Sequence, residues 1–256
     1  MNVIYARAIF VSDLHLGVPE SNVGDLINLL QNVRAEVVYL VGDMIDIREI
    51  RARGDARCAD LANIFALLKL LRGARLHYIC GNHDPEPLVE AAALDGLATI
   101  SNERVHITRR GERILVIHGH QVDSHIGTHA EVLVDVIALI YKLALRLQLK
   151  LNRLRNILGR PGKLRWVEEQ RYRISGWRRR VTRYEARIRK YALGKTFRSV
   201  ICGHIHVPAI LRDGEFSYYN TGDWVENRTI LFEDDAGDIC QLRYDSCSGT
   251  FRISTA

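Results

Sequence analysis

The sequence predicts an α/β fold in which a sheet carries polar loops along one edge. Two observations support this: short apolar runs each stop at Ser, Gly or His, and segments of helical period separate the first three runs. Buried strands that end in a polar turn show this pattern. Parallel strands joined by helices place their loops on the same edge. We therefore expect the chemistry of the protein at that edge.

Five apolar runs are the predicted strands of this fold. They cover residues 8–11, 37–41, 76–80, 114–117 and 199–202. Leucine-rich periodicity over 23–33 and 60–71 predicts the helices that connect the first three strands. The segments 216–220, 229–232 and 239–244, with turns at Asp213-Gly214 and Ala236-Gly237, predict a final β meander.

Length and composition bound the class of protein. A chain of 256 residues with 47% apolar residues can bury a full core, which excludes intrinsic disorder and a disulfide-stapled miniprotein. Its five cysteines are an odd number without a C-x-x-C pair, which favours a reducing compartment. The apolar start runs directly into polar motif residues and leaves no room for a signal peptide. A cytoplasmic location is expected.

One segment carries all of the positive charge excess. Residues 141–198 contain 19 Lys or Arg and three acids, a balance of +16, so the rest of the chain carries −10 of the total of +6. Because this segment lies between the fourth and fifth predicted strands, we interpret residues 125–195 as a helical insertion, or lid, within a single domain of residues 1–256. The charge is either a solvated helical face or a surface for an anionic partner such as a lipid headgroup, a nucleotide or a nucleic acid.

The apolar half of the insertion is amphipathic. Residues 132–151 form the longest apolar stretch, but Asp135, Lys142, Arg146 and Lys150 interrupt it. These charges argue against a membrane span and for an amphipathic helix. A peripheral contact with the inner membrane through residues 125–195 stays open.

Polar motif residues follow each of the five predicted strands. The motifs are Asp13-Leu14-His15, Gly42-Asp43, Gly81-Asn82-His83-Asp84, His118-Gly119-His120 and Gly203-His204-Ile205-His206. Any one of them is commonplace, whereas five in series at strand ends are specific. Alternation along an extended strand end places Asp13 and His15 on the same side. Carboxylate, imidazole and amide ligands without a thiolate suit Mn²⁺, Fe²⁺ or Zn²⁺, and Asp43 is the natural carboxylate to bridge two ions.

This series resembles the calcineurin-like metallophosphoesterase superfamily. The resemblance implies a four-layer α/β/β/α sandwich and two divalent metal ions, with Mn²⁺ as the first choice and Fe²⁺ or Zn²⁺ as alternatives. It implies that one ion is held by Asp13, His15, Asp43 and His206, and the other by Asp43, Asn82, His118 and His204. By the same resemblance His83 contacts the phosphoryl oxygen or the leaving group and is oriented by Asp84. Two such ions, roughly 3.5–4 Å apart, activate water for in-line attack on phosphorus.

The remaining histidines have no place in the implied ligand set. His120 is open between a structural role and a contact with the metal or the substrate. His125 and His129 are predicted not to be ligands, and His77 and His106 are taken as structural because they lie in no motif.

Nearly the whole chain further resembles the bacterial UDP-2,3-diacylglucosamine diphosphatase group. The resemblance rests on residues 12–17, 41–46 and 202–206, and on the tail at 220–226. It implies a lipid-linked diphosphonucleotide as substrate and UMP and an acylated sugar 1-phosphate as products. The best-known enzymes of that group carry Arg in place of His83 and Asp in place of His120, so a sister branch with another substrate also fits.

Two other functions stay open at this point. A nuclease or nucleotide phosphodiesterase would use the basic insertion as a phosphate groove and stack bases on its aromatic residues, which are Trp166, Tyr172, Trp177, Tyr184 and Tyr191. A non-catalytic scaffold would require lost metal ligands, and none is missing from the five motifs.

Overall fold

The computed structural model describes residues 3–18, 21–52, 73–85, 98–123, 175–246 and 248–254, with seven further positions between 144 and 158. Contacts in space divide the protein into two compact units, residues 1–122 with 185–256 and residues 123–184. The first unit contains every residue of the five sequence motifs.

Twelve strands lie in the described part of the chain, and all belong to the first unit. In chain order they are β1 (Ile4–Val11), β2 (Val33–Val41), β3 (Arg75–Ile79), β4 (Thr99–Ser101), β5 (Glu103–Ile107), β6 (Arg113–Ile117), β7 (Ser199–Cys202), β8 (Ala209–Arg212), β9 (Ser217–Asn220), β10 (Thr229–Glu233), β11 (Ile239–Asp245) and β12 (Thr250–Ser254). The described helices are α1 (Val23–Leu30), α2 (Ile47–Ala52) and α3 (Ser175–Gly194), with a short 3₁₀ turn at His120–Val122.

These strands form two sheets. One has the order β12-β11-β10-β1-β2-β3-β4 and the other the order β5-β6-β7-β9-β8. Side chains of both sheets meet in one apolar cluster, which includes Phe10 and Val41 of the first sheet and Val116 and Ile201 of the second. The predicted α/β/β/α sandwich is confirmed, because helices flank these packed sheets.

The outer faces of the sheets are covered by helices. Leu26 and Leu29 of α1 are fully buried in the cluster on the outer face of the first sheet. Ile188 and Ala192 of α3 are also fully buried, and Lys195, just after α3, forms an ion pair with Glu103 of β5 at 2.6 Å. Apolar spacing of three or four residues on each helix therefore supplies the packing face.

The parallel pairing of β1, β2 and β3 positions the functional loops. Ala8 lies opposite Val37, and Val37 lies opposite Arg75, so the three strands run in the same direction. Their carboxyl ends therefore lie on one edge. Beyond the strands the loops stay hydrogen-bonded, because the Asp13 and His15 N–H groups donate to the carbonyls of Gly42 and Asp43 at 3.0 and 2.9 Å.

Two details differ from the sequence prediction. Val33 begins β2 and does not end α1, because Gln31 and Asn32 form a turn and Val33 pairs with Ile4. The last strands are not one meander, since β9 pairs with β7 and β8 in the second sheet while β10, β11 and β12 are successive strands of the first. The predicted helix at 60–71 and most of the predicted 125–195 insertion lie outside the described residues, and the insertion stays a prediction.

Candidate metal centre

The loops after the strands adopt a backbone conformation that side chains disfavour. Five of the residues predicted as metal ligands have left-handed φ angles: Asp13 (54°), His15 (49°), Asp43 (51°), His204 (72°) and His206 (55°). Such angles are uncommon outside glycine and cost free energy, so they persist where the surrounding structure holds them in place. Their concentration in three loops marks this edge as the functional one.

The first group of ligands converges on one point. His206 Nε2 lies 3.2 Å from Asp13 Oδ1 and 3.3 Å from His15 Nε2, and His15 Nε2 lies 3.8 Å from the same Asp13 oxygen. Asp13 is fully buried and His15 is 8% exposed. One carboxylate and two imidazoles from β1 and β7 thus face a common space.

The two oxygens of Asp13 have different surroundings. Oδ2 accepts hydrogen bonds from the Ser12 hydroxyl and from the His204 N–H at 3.0 Å. Oδ1 faces His15 and His206. The protein therefore fixes the carboxylate through one oxygen and turns the other towards the ligand cluster.

Asp43 joins this group to a second one. Its Oδ1 accepts the His83 N–H at 2.9 Å, which orients the carboxylate. Its Oδ2 lies 4.0 Å from His15 Nε2 and 3.3 Å from His118 Nε2. A single carboxylate oxygen thus lies between imidazoles of both predicted metal sites, as a bridging ligand requires.

The second group consists of Asp43, His118 and His204, whose ligand atoms lie within 4.8 Å of one another. His118 is fully buried, and its Nδ1 lies 2.9 Å from the Val41 carbonyl. Because Nδ1–H donates to that carbonyl, Nε2 is the atom presented to Asp43. The ring of His204 lies 5.2 Å from that of His118.

Burial and opposite charges shift the pKa values in this cluster. Burial raises the pKa of Asp13, but the nearby His206 more than offsets it and the pKa falls to about 2. Burial lowers the pKa of His118, but the Asp43 carboxylate outweighs it and the pKa rises to about 10. Without a metal, His118 therefore holds a proton at neutral pH, and a cation that binds there displaces it.

Several buried polar atoms fit a bound cation. Asp13 Oδ1, Asn82 Oδ1 and His118 Nε2 are inaccessible to solvent, and none makes a hydrogen bond within the part of the chain that the structure describes. Buried polar atoms normally have partners. Oxygen and imidazole donors of this kind suit divalent metals, so the residues present fit the two ions that the motifs imply. The assignment of individual ligands, and of Mn²⁺, stays a prediction.

Two glycines make room for this convergence. Gly42 has φ +80°, and a Cβ there would overlap the His118 ring. A Cβ at Gly81 would overlap the carboxylates of Asp43 and Asp84. Close approach therefore requires glycine at both positions, and at Gly42 the left-handed backbone requires it as well.

His83 lies beside the cluster but is oriented by a residue that the sequence prediction missed. Its Nδ1 lies 2.8 Å from Asp46 Oδ2, and its Nε2 lies 4.0 Å from Asp43 Oδ2. Asp46 also faces His15 Nδ1 at 3.6 Å. Burial raises the pKa of Asp46, but the imidazoles of His15 and His83 beside it lower the pKa well below its usual range, so this carboxylate is ionised.

The predicted role of Asp84 is wrong in one respect, because Asp84 does not orient His83. Its carboxylate accepts the N–H groups of Asp43, Met44, Ile45 and Gly81 and the Tyr78 hydroxyl. Asp84 is fully buried and holds the second and third metal loops together. It supports the backbone of the site and has no contact through which it would position His83 among the described interactions.

His120 lies next to the second group. Its ring is 5.5 Å from that of His118 and 6.5 Å from that of His204. Burial, followed by the charges of His118 and His204, lowers its pKa to about 4, so the ring is neutral at neutral pH. His125 and His129 lie outside the described residues.

Residues 220–227 form hydrogen bonds with the loops of the first and fifth motifs. Thr221 Oγ1 lies 2.6 Å from the Ser12 hydroxyl, the Trp224 N–H donates to the Asp13 carbonyl at 3.1 Å, and Asn227 Nδ2 donates to the His206 carbonyl at 3.0 Å. The sequence contained a signal for this role in its run of Asn, Thr, Gly and Asp, which are turn and capping residues. Their contacts with the first and fifth motifs were not predictable from it.

The fold and this paired site define a class of protein. Residues 6–208 match the family model of the calcineurin-like phosphoesterases. The chain belongs to that family, and with it to the metal-dependent phosphoester hydrolases. No curated protein sequence shows significant similarity to the chain.

Solved structures of similar fold come from several organisms. Vps29 from Entamoeba histolytica is 14% identical, with 96% of each chain covered and a TM-score of 0.48. Yfce, a phosphoesterase from E. coli, is 13% identical, with 96% of this chain and 97% of that chain covered and a TM-score of 0.46. An archaeal phosphodiesterase is 13% identical, with 97% and 99% covered and a TM-score of 0.40.

Proposed function

We propose that the protein hydrolyses the diphosphate bond of a lipid-linked nucleotide of the UDP-2,3-diacylglucosamine type, with UMP and an acylated sugar 1-phosphate as products. The observation that carries the hydrolytic part is the position of Asp43 Oδ2, within 4.0 Å of imidazoles of both ligand groups. Such an arrangement suits two cations that share one carboxylate. When bound, two divalent ions lower the pKa of a water molecule and neutralise charge on the phosphate oxygens.

The side chains around the ions have separable tasks. In Asp13 and Asp43, one carboxylate oxygen accepts a hydrogen bond from the protein, so the other oxygen is held in a fixed direction. The Asp46 carboxylate lies 2.8 Å from His83 Nδ1 and orients the ring. The His83 side chain is 30% exposed, so Nε2–H can reach a substrate and donate to a phosphoryl or leaving-group oxygen.

The lipid part of the proposal rests on an exposed leucine row in the second unit. Leu147, Leu151, Leu154 and Leu158 are 53%, 38%, 52% and 64% exposed. Their spacing of four, three and four residues places them on one face of a helix, and the Leu158 N–H donates to the Leu154 carbonyl at 3.0 Å. A solvent-facing row of four leucines suits acyl chains or a lipid surface.

The charge around the leucine row supports the same substrate. Arg178, Arg179 and Arg180 at the start of α3 are exposed, and the surrounding segment has a balance of +16. Basic residues beside an apolar face attract anionic headgroups and phosphates. None of the described helices is long and apolar enough to cross a bilayer, and peripheral membrane contact is part of the proposal.

The nuclease alternative finds less support in the aromatic residues. Tyr184 is buried, and the Tyr191 hydroxyl donates to Glu103 while Lys195 lies 5.0 Å over its ring. Neither side chain can stack on a base as it stands. Trp166 and Tyr172 lie outside the described residues.

The test is a comparison of substrates with defined metals. We expect the purified protein with Mn²⁺ and detergent to release UMP from UDP-2,3-diacylglucosamine. Turnover of single-stranded DNA or bis-p-nitrophenyl phosphate without turnover of the lipid nucleotide would reject the lipid substrate while keeping the hydrolase.

A variant separates the lipid contact from the chemistry. Replacing Leu147, Leu154 and Leu158 by Ser should raise KM for the lipid nucleotide about tenfold or more, because each exposed leucine loses apolar contact area. Turnover of bis-p-nitrophenyl phosphate should be unchanged. Leu211→Ser removes a leucine that is 47% exposed on β8 and is the matched control. An equal KM in both variants would contradict the role of the leucine row.

A further inference from the structure

A second group of histidines lies between the two sheets, away from the metal loops in the sequence. Tyr39 of β2 lies opposite His77 of β3 in the parallel register, and their rings are 5.0 Å apart. His106 of β5 comes from the other sheet and packs against the Tyr39 ring at 5.4 Å. These three side chains therefore fill one polar region of the sandwich interior.

Two members of this region satisfy each other. His106 Nε2 lies 2.8 Å from Glu233 Oε2, and His106 Nδ1 lies 3.2 Å from the Tyr39 hydroxyl. Glu233 is fully buried, and its other oxygen accepts the Arg109 N–H at 2.7 Å. With Nε2–H donated to Glu233, Nδ1 accepts from Tyr39, and no polar atom of the pair is left over.

His77 is not satisfied in this way. Only 9% of the residue is exposed, and its Nδ1 is inaccessible to solvent and has no hydrogen bond in the described part of the chain. Burial, followed by the charges of Arg104 and Arg75, lowers its pKa to about 4. The ring is therefore neutral at neutral pH and can offer Nδ1–H as a buried donor without an acceptor.

Two arginines lie on the strands that carry these histidines; Arg75 is exposed and Arg104 is half-buried. Arg75 lies two residues before His77 on β3, and Arg104 lies two residues before His106 on β5, so each shares a strand face with its histidine. Both influence the pKa of Tyr39 as well as that of His77. Arg7, the third arginine nearby, faces Glu233 at 3.7 Å, whereas Arg75 and Arg104 form no ion pair with any described residue.

Charge in this region is thus unbalanced. The single buried carboxylate, Glu233, is already engaged by His106, the Arg109 N–H and Arg7. Among the described residues, no carboxylate pairs with the Arg75 or Arg104 guanidinium group and none accepts from His77 Nδ1. A tetrahedral oxyanion matches this set, because guanidinium groups donate in pairs to its oxygens and a third oxygen can accept from an imidazole N–H.

We propose that Arg75, Arg104 and His77 form a second binding site, for a phosphate group, between β3 and β5. The site is separate from the metal centre, since its members belong to none of the five motifs. Free inorganic phosphate and the phosphate of a larger ligand share the chemistry that these residues recognise.

The experiment follows the imidazole nitrogens of His77 by NMR in the Zn²⁺-loaded protein, with the signal assigned through His77→Gln. Inorganic phosphate should shift the His77 resonances with saturation at about 1–10 mM, as expected for a few charge-assisted hydrogen bonds. Chloride at equal ionic strength should not. The double variant Arg75→Gln/Arg104→Gln should lose the saturable shift and keep its metal content.

The matched control removes two other arginines. Arg243 and Arg252 are exposed cross-strand neighbours on β11 and β12, without a buried imidazole beside them. Arg243→Gln/Arg252→Gln should keep the His77 response. The proposal is overturned by a chloride response equal to that of phosphate, by no saturable shift, or by an unchanged shift in Arg75→Gln/Arg104→Gln. Binding of uridine monophosphate but not inorganic phosphate at His77 would support the site with a larger phosphate ligand.

Discussion

Two buried clusters of acids and imidazoles in this protein are built in different ways. Around Asp43 the residues sit in strained loops, and ligand atoms such as His118 Nε2 and Asp13 Oδ1 are buried without hydrogen bonds. Around Glu233 the residues sit on regular strands, and both the Glu233 carboxylate and the His106 ring are fully hydrogen-bonded. Burial and residue type are similar in the two clusters.

The difference lies in what the surroundings provide. Left-handed backbone angles and buried polar atoms without hydrogen bonds reduce the stability of the folded protein. A bound cation offsets this loss, because it interacts with those polar atoms. A satisfied carboxylate–imidazole pair needs no ligand. We infer that strain combined with missing hydrogen bonds, and not the presence of histidines and acids, distinguishes the metal centre from a structural network.

The largest effect is expected at the residue that joins the two ligand groups. Asp43→Ala removes the only side chain whose oxygen lies near both His15 and His118 in the described contacts. Both ions should be lost, and phosphoester hydrolysis should fall to background. Metal content per chain, measured by mass spectrometry after gel filtration, checks this.

A surface carboxylate is the control for that experiment. Asp235 is 78% exposed and lies 3.6 Å from Arg109. Asp235→Ala should keep both ions. Two ions retained in Asp43→Ala would contradict the shared carboxylate and the contrast between the clusters.

The sequence predicted the parts of the site that lie directly after strands. Asp13 and Asp43 could be placed together because β1 and β2 run in parallel, and His118 and His204 because β6 and β7 do. The fold class followed from the same alternation. The division of the late strands between two sheets did not, because β9 and β10 are both short, largely buried strands and only their pairing differs.

Asp46 shows why the rest of the site was not predictable. His83 and Asp84 are neighbours in the chain, but they lie in a bend after β3 and their side chains face different partners. Asp84 turns to the backbone of residues 43–45, and His83 turns to Asp46 from another loop. Contacts between loops depend on backbone conformations that motif spacing does not encode.

A smaller effect is expected for the residue that lies beside the metal centre without joining its ligand groups. His83→Ala should keep both ions and lower kcat about 10²–10⁴-fold, because it removes a proton donor or an electrostatic contact in the transition state. Asp46→Asn should give a smaller loss of kcat, because it replaces the carboxylate that lies 2.8 Å from His83 Nδ1 and orients the ring. An unchanged kcat in Asp46→Asn would show that Asp46 does not position His83.

The smallest effect on chemistry is expected in the satisfied cluster. Glu233→Gln leaves His106 and the Arg109 N–H with a weaker acceptor and should lower the free energy of unfolding by about 1–3 kcal/mol. Metal content and kcat should match the wild type, because no contact described for Glu233 reaches a metal loop. Urea unfolding measures the loss, and Glu215→Gln, whose side chain is 82% exposed, should change stability by less than about 0.5 kcal/mol. If Glu233 and His106 only stabilise the packing of the two sheets, Glu233→Gln should not change metal binding. Loss of a metal ion from Glu233→Gln would therefore show that the two clusters depend on each other.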